Sequence, residues 1–77
     1  MPTIHRLSNS RLCIFADDYD PPHVHILGPG WSGVIDLGTL TLRRGAIPKR
    51  DFLEAVQWAT DNRLFLLSEW KRLNERD

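Results

Sequence analysis

The sequence predicts an α+β fold. A small antiparallel sheet of three to five strands, within residues 3–43, is expected to pack on two C-terminal helices at about 48–61 and 62–75. Two observations lead to this fold class. Short β-branched and aromatic runs alternate with turn residues up to residue 43, and from Pro48 onward the apolar residues recur at helical spacing. Strands followed by helices are typical of α+β proteins, and a chain of 77 residues predicts one domain over residues 1–77.

Strands are expected over residues 3–7, 11–16, 23–27, 31–37 and 40–43. The Ser-Asn-Ser cluster at 8–10 predicts a hairpin turn between the first two strands, because these side chains hydrogen-bond their own backbone. Gly28-Pro29-Gly30 predicts the turn between the third and fourth strands. Pro21 and Pro22 precede the third strand, and their fixed φ favours an extended approach to it.

The helical half begins at Pro48, since proline is tolerated where a helix starts. Asp61-Asn62 is a weak break that divides the region into two helices and is able to cap the second one. Trp70 continues an apolar stripe and is predicted in the core, whereas Trp58 lies off its stripe and either widens it or is partly exposed. The stripe of the second helix comprises Leu64, Leu66, Leu67, Trp70 and Leu73.

Composition narrows the classes of function. Ten basic and ten acidic residues balance, which argues against a dedicated nucleic-acid binder. The basic side chains nearest the sheet-to-helix junction still form a candidate contact for nucleic-acid phosphates: Arg43, Arg44, Lys49 and Arg50. Near-zero net charge also makes association with a protein partner or a second copy easier.

Location is predicted from cysteine usage and hydropathy. A single cysteine, Cys13, has no internal disulfide partner. The first ten residues lack the apolar core of a secretory signal, and no apolar run approaches the roughly 18 residues that mark a membrane span. We therefore expect a protein of a reducing cytoplasm, with no membrane contact.

Residues 17–25, Asp-Asp-Tyr-Asp-Pro-Pro-His-Val-His, are the segment that departs most from an ordinary small domain. Side chains alternate between the two faces of a strand, so His23 and His25 share a face opposite Val24. If the aliphatic faces point toward the helices, a polar and aromatic set lies on the other face, comprising His5, Arg11, Phe15, His23 and His25.

Three interpretations of the two histidines are open. They are tolerated polar residues on an exposed strand; or they donate to Asp17, Asp18 or Asp20 and lock the loop; or they bind a metal ion. Two imidazoles at i and i+2 lie roughly 6.5 Å apart at the backbone, a spacing able to chelate one ion such as zinc. The third ligand would be His5 or an aspartate of the loop, although His5 has a long reach if the second strand lies between.

The chain also resembles a known family. The opening Met-Pro-Thr-Ile-His-Arg at 1–6, the Pro-Pro-His-Val-His motif at 21–25 and the Pro-Lys-Arg start of the helical region at 48–50 are similar to a bacterial family, domain of unknown function 4160. The resemblance implies a short cytoplasmic protein related to accessory or toxin–antitoxin-type genes. It implies no catalytic residues, and it marks Pro21, Pro22, His23 and His25.

Two functional hypotheses follow. The first is an interaction module, a component of a toxin–antitoxin-like pair, with a protein partner or as a homo-oligomer. The second is a small metal-dependent hydrolase or nuclease that uses His23 and His25 as ligands. The candidate functional surface comprises His5, Arg11, Asp17, Asp18, Asp20, Pro21, Pro22, His23 and His25. The catalytic residues, if any, are not identified by the sequence.

Overall fold

The computed structural model describes residues 3–16, 18–19 and 21–74, and its five strands precede two helices. The elements are β1 (Thr3–Arg6), β2 (Arg11–Cys13), β3 (His23–Gly28), β4 (Trp31–Asp36), β5 (Leu42–Gly45), α1 (Lys49–Asp61) and α2 (Arg63–Asn74). The predicted α+β fold is confirmed. The second strand is shorter than the predicted 11–16, since β2 stops at Cys13. The fifth strand begins at Leu42 rather than at residue 40, where Leu40 adopts a positive φ of 58° that is incompatible with a strand.

The five strands form one sheet in the order β1-β2-β3-β4-β5, and every neighbouring pair is antiparallel. The sheet is therefore a simple meander, with β3 at its centre. Gly28 pairs with Trp31, so Pro29 and Gly30 alone form the turn between β3 and β4. Gly30 has a φ of 75°, which glycine adopts without steric cost. The turn predicted at residues 28–30 is confirmed.

One face of the sheet packs against the helices and forms the core. Alternating residues of the strands and their flanks meet small and large apolar residues of α1 and α2. The buried core comprises Leu12, Ile14, Val24, Ile26, Ile35, Leu37, Ala55, Ala59, Leu66 and Trp70. The prediction that the aliphatic side of β2 and β3 faces the helices is therefore confirmed, as is the core position of Trp70. The histidines of β3 lie on the opposite side, which we call the outer face.

A bulge in β1 reverses the expected orientation of His5. Thr3 pairs with Cys13 but His5 pairs with Leu12, so the register shifts by one residue between them. His5 consequently lies on the helix side of the sheet, where its ring stacks on Trp58 with centroids 4.2 Å apart and planes within 9° of parallel. The expectation that His5 shares the face of His23 and His25 is wrong, because simple alternation fails across a bulge. Trp58 widens the apolar stripe of α1, and its partner there is His5.

A second bulge occurs in β5. Val34 pairs with Arg44 while Ile35 pairs with Leu42, which leaves Arg43 as the extra residue. Gly45 follows with a φ of 82° and lies directly against the backbone of Ser32 and Gly33, so a Cβ atom has no room there. Bulges re-aim side chains, and here both arginines line the same cavity on the outer face.

The two helices are joined by Asn62, which acts differently from the sequence-based expectation. Its side-chain Nδ2 donates to the carbonyl of Trp58, so it satisfies the C-terminus of α1 rather than capping α2 with its side chain. Its own carbonyl accepts from the amide of Leu66 and so begins α2. Pro48 precedes α1 as its cap residue. Leu64, expected within the apolar stripe of α2, is 84% exposed.

Candidate metal centre

The connection between β2 and β3 brings Asp18 back over the start of β3. There the Oδ2 atom of Asp18 lies 2.7 Å from Nε2 of His23 and 3.0 Å from Nε2 of His25. The ligand atoms that the three residues can offer all lie within 4.8 Å of one another. We call these residues the Asp18–His23–His25 cluster. Among the described residues it is the group of histidines, cysteines and acids arranged to hold a metal ion.

The cluster is well shielded from solvent. The side chains of His23, His25 and Asp18 are 4%, 15% and 19% exposed. Alternation explains why both imidazoles converge, since His23 and His25 are two residues apart on β3 and share the outer face. Their rings are 5.2 Å apart, with interplanar angle 62°, so the two Nε2 atoms reach one oxygen from different directions.

The hydrogen bonding of His23 fixes its tautomer. Nδ1 lies 2.8 Å from the carbonyl oxygen of Pro21, and because a carbonyl only accepts, Nδ1 must carry a proton and donate it. In the neutral ring Nε2 then presents a lone pair, and it faces a carboxylate oxygen at 2.7 Å. The contact is an ion pair when the ring carries a second proton, and a bound metal ion would replace that proton. A backbone carbonyl that orients the far nitrogen is the usual support of a metal-binding histidine.

Asp18 carries the negative charge that would stabilise either a protonated histidine or a metal ion. Burial raises the pKa of its carboxyl, but hydrogen bonds from His25, the amide of Tyr19 and His23 outweigh burial and hold the pKa below its ordinary value. The amide of Tyr19 donates to Oδ1 at 3.0 Å, which leaves Oδ2 for the two histidines. Asp18 is thus an anion at neutral pH, with one oxygen committed to the backbone and the other to the cluster.

Two side chains from distant parts of the chain support the cluster. Phe15 packs on His25, with ring centroids 4.1 Å apart. Asn74, in the last turn of α2, accepts a hydrogen bond from the amide of Asp18 and donates to the carbonyls of Phe15 and Trp70. Asn74 is buried and was not predicted as part of the site. It is 56 residues from Asp18 in sequence, and no local pattern marks it.

The structure assembles only part of the predicted surface. Pro21 contributes its carbonyl to His23, and Pro22 accepts a hydrogen bond from the amide of Leu37 that ties the segment to the end of β4. Arg11 pairs with Leu27 across the strands and lies on the outer face. It lines a cavity beside the turn between β1 and β2 and is not part of the cluster. His5 lies on the opposite face. Asp17 and Asp20 lie outside the described residues.

The predicted basic group is divided between two places. Arg43 and Arg44 line a cavity of about 180 Å³ together with Asp18, Tyr19, His23 and Val34, directly beside the cluster. Arg50 instead lines a cavity with Ser8, Asn9, Asp51 and Glu54, near the turn between β1 and β2. The sequence predicts the four cations as one set and does not connect Arg43 and Arg44 with the histidines. The bulge in β5, which has no clear sequence signal except Gly45, makes that connection.

Comparison with known families gives a single assignment. Residues 10–71 match the model of the family described as domain of unknown function (DUF4160), and the chain belongs to that family, as the resemblance in its sequence had implied. The matched residues include the whole Asp18–His23–His25 cluster and both arginines beside it. No curated protein and no solved structure matches the chain.

Among the described residues, neither α1 nor α2 is long and apolar enough to cross a bilayer.

Proposed function

We propose that the Asp18–His23–His25 cluster binds a divalent transition-metal ion and that the protein is a small metal-dependent hydrolase. The observation that carries the proposal is the convergence of three residues, Asp18, His23 and His25, whose ligand atoms all lie within 4.8 Å of one another. A metal ion bound there would accept the lone pairs of both Nε2 atoms and of Oδ2.

The ligand set defines the class of ion. Two imidazoles and one carboxylate suit zinc, iron(II) and related first-row ions rather than magnesium or calcium, which prefer oxygen. Three protein ligands leave positions for water or substrate, as in catalytic zinc sites. A metal bound there would lower the pKa of a coordinated water and supply a nucleophile at neutral pH. The support from Pro21, Asn74 and Phe15 holds the ligands in place before any ion arrives.

The direct test is the metal content of protein purified without a histidine tag. The wild type is expected to retain close to one equivalent of metal after dialysis, and the His23→Ala, His25→Ala double variant to retain none. His5→Ala is the matched control, because it also removes an imidazole but from the opposite face. Its metal content is expected to equal that of the wild type.

Two results would contradict the proposal. One is wild-type protein with no metal that also fails to bind added zinc. The other is equal loss of metal in the His5→Ala control. A folded double variant, checked by circular dichroism, is needed so that loss of metal is not simply loss of structure.

An interaction module, as one half of a toxin–antitoxin-like pair, is the second candidate. Leu64 and Phe65 in the first turn of α2 are 84% and 51% exposed, and Leu53 on α1 is 55% exposed. Exposed large apolar side chains are typical of partner surfaces. Light scattering is expected to detect a complex or oligomer that the Leu64→Gln, Phe65→Gln double variant loses. A purely monomeric wild type, alone and with the product of a neighbouring gene, would argue against this role.

A further inference from the structure

We propose that the cavity between the Asp18–His23–His25 cluster and β5 binds the phosphoryl group of a phosphate ester. In this arrangement one phosphate oxygen binds the metal and the others accept hydrogen bonds from Arg43 and Arg44. The inference rests on the metal site proposed above and names the substrate class of that site.

The first support is the local geometry of β5. A regular strand would direct Arg43 and Arg44 to opposite faces of the sheet. The bulge at Arg43 changes this, and both residues line the cavity that also contains Asp18 and His23. Arg44 also lines a second cavity with His25, so it shares a cavity with each histidine of the cluster.

The second support is the set of contacts that the two guanidinium groups make. Arg44 forms no hydrogen bond or ion pair with any residue in the described ranges. Within the same described ranges, Arg43 donates only to the carbonyl of Pro21, at a long 3.5 Å. The amides of Thr39 and Gly38, which donate to Oδ1 of Asp36, and the charge of Arg43 lower the pKa of that carboxyl. No ion pair joins Arg43 and Asp36, however, in the part of the chain that the structure describes. Both arginines are exposed, and both are therefore available to a ligand.

The third support is chemical complementarity. A metal ion beside two guanidinium groups, in a chain with no net charge, is a local concentration of positive charge. Guanidinium groups bind phosphate oxygens through paired hydrogen bonds, and hydrolytic metal ions stabilise the charge of a phosphoryl group. The cavity, about 180 Å³, is smaller than the roughly 300–1,000 Å³ of a typical ligand pocket. It therefore suits the phosphoryl group itself, with the rest of the ester in solvent.

The test is calorimetric titration of inorganic phosphate into protein loaded with one equivalent of zinc, with free metal removed. Phosphate is expected to bind the wild type and to bind Arg44→Gln at least about 10-fold more weakly. Arg43→Gln is expected to show a similar loss. Arg6→Gln is the matched control, since Arg6 is an exposed arginine on β1, away from the cluster, and its affinity should equal that of the wild type.

Metal content, measured on the same samples, separates the two proposals. Zinc-loaded wild type that binds no phosphate, or an Arg44→Gln variant that binds it equally well, would overturn the phosphate site and leave the metal site standing. Protein that retains no zinc would overturn both, whether or not phosphate binds, because the bridged arrangement requires the ion. Full zinc retention in the two arginine variants, together with weakened phosphate binding, would support the assignment.

Discussion

At the scale of single residues, the candidate site depends on one oxygen atom, Oδ2 of Asp18. Both imidazoles approach it, and its position is set by hydrogen bonds that Asp18 makes elsewhere, through Oδ1 to Tyr19 and through its own amide to Asn74. Asn74 also donates to the carbonyl of Phe15. One amide side chain of α2 therefore binds the backbone at both Phe15 and Asp18, in the connection between β2 and β3.

Removal of these hydrogen bonds should weaken metal binding although none of the proposed metal ligands is changed. Asn74→Ala deletes the acceptor for the Asp18 amide and the donor to Phe15, and supporting contacts of this kind typically contribute about 10- to 100-fold to metal affinity. We expect a loss in that range, measured by competition with a chelator. Lys71→Ala, an exposed position on the same helix, is the control and should leave the affinity unchanged. Equal affinities for Asn74→Ala and wild type would show that Asn74 does not position Asp18.

The residues of the site differ in how far the sequence could predict them. The shared face of His23 and His25 follows from strand alternation, and the nearby acids made Asp18 one of three candidate partners. The orientation of His5 could not be derived, because the bulge in β1 depends on pairing with β2. The role of Asn74 could not be predicted from the sequence either, since a contact between residues 56 apart has no local signal.

At the scale of elements, α2 shows how an apolar stripe can mislead. The predicted stripe includes both Leu64 and Leu66, yet Leu66 is fully buried and Leu64 is 84% exposed. The difference follows from helix geometry, because residues two apart lie about 200° apart around a helix of 3.6 residues per turn and therefore face opposite sides.

This difference predicts opposite outcomes for two similar substitutions. Leu66→Ala should lower the free energy of unfolding by about 2–5 kcal/mol, because it leaves a cavity among core side chains. Leu64→Ala should change it by less than about 0.5 kcal/mol, as expected for an exposed position. Urea denaturation of the two variants measures both values. A large loss for Leu64→Ala would mean that a partner or a second copy buries this residue in solution.

The turn between β1 and β2 is fastened to α1 by Glu54, and this contact predicts a dependence on pH. The hydroxyl and the amide of Ser8 both donate to Oε2 of Glu54, at 2.6 and 3.0 Å, and they hold its pKa below the ordinary 4.5. A carboxylate with a lowered pKa stabilises the fold above its unfolded-state pKa and loses that contribution as the pH falls through the folded-state value.

Comparison of wild type with Glu54→Gln in urea, at pH 7 and at pH 3, checks the sign. The wild type should be the more stable protein at pH 7, and its advantage should shrink once the pH falls below about 4.5, where Glu54 begins to take up a proton in the unfolded chain. An advantage that stays constant over this range would show that the Ser8 contacts do not stabilise the charged carboxylate.

At the scale of the whole molecule, the small sheet packs on two helices with one face and carries the candidate metal site on its outer face. The face of the sheet that packs on the helices contributes to the core. The meander places β3 at the centre of the sheet, so the strand that carries His23 and His25 is paired on both sides. The fold class followed from the order of strands and helices. The joining of the histidines with Arg43 and Arg44 did not, because it depends on how β5 pairs.

Metal binding should also stabilise the whole fold. An ion that binds only the folded chain adds about 2.7 kcal/mol at a free concentration 100-fold above its dissociation constant. For a domain of this size each kcal/mol raises the melting temperature by roughly 4–8 °C. A thermal scan with and without zinc should therefore show a clear rise for the wild type and for His5→Ala, and none for the His23→Ala, His25→Ala double variant.

X-ray absorption spectroscopy of the zinc-loaded, tag-free protein tests the central claim most directly, because it reports the atoms bound to the metal. We predict a coordination shell of two imidazole nitrogens with a carboxylate oxygen and solvent, and loss of the imidazole signal in the His23→Ala, His25→Ala double variant. A shell of solvent oxygens alone, or an imidazole signal that persists in the double variant, would contradict the assignment of Asp18, His23 and His25 as a metal site.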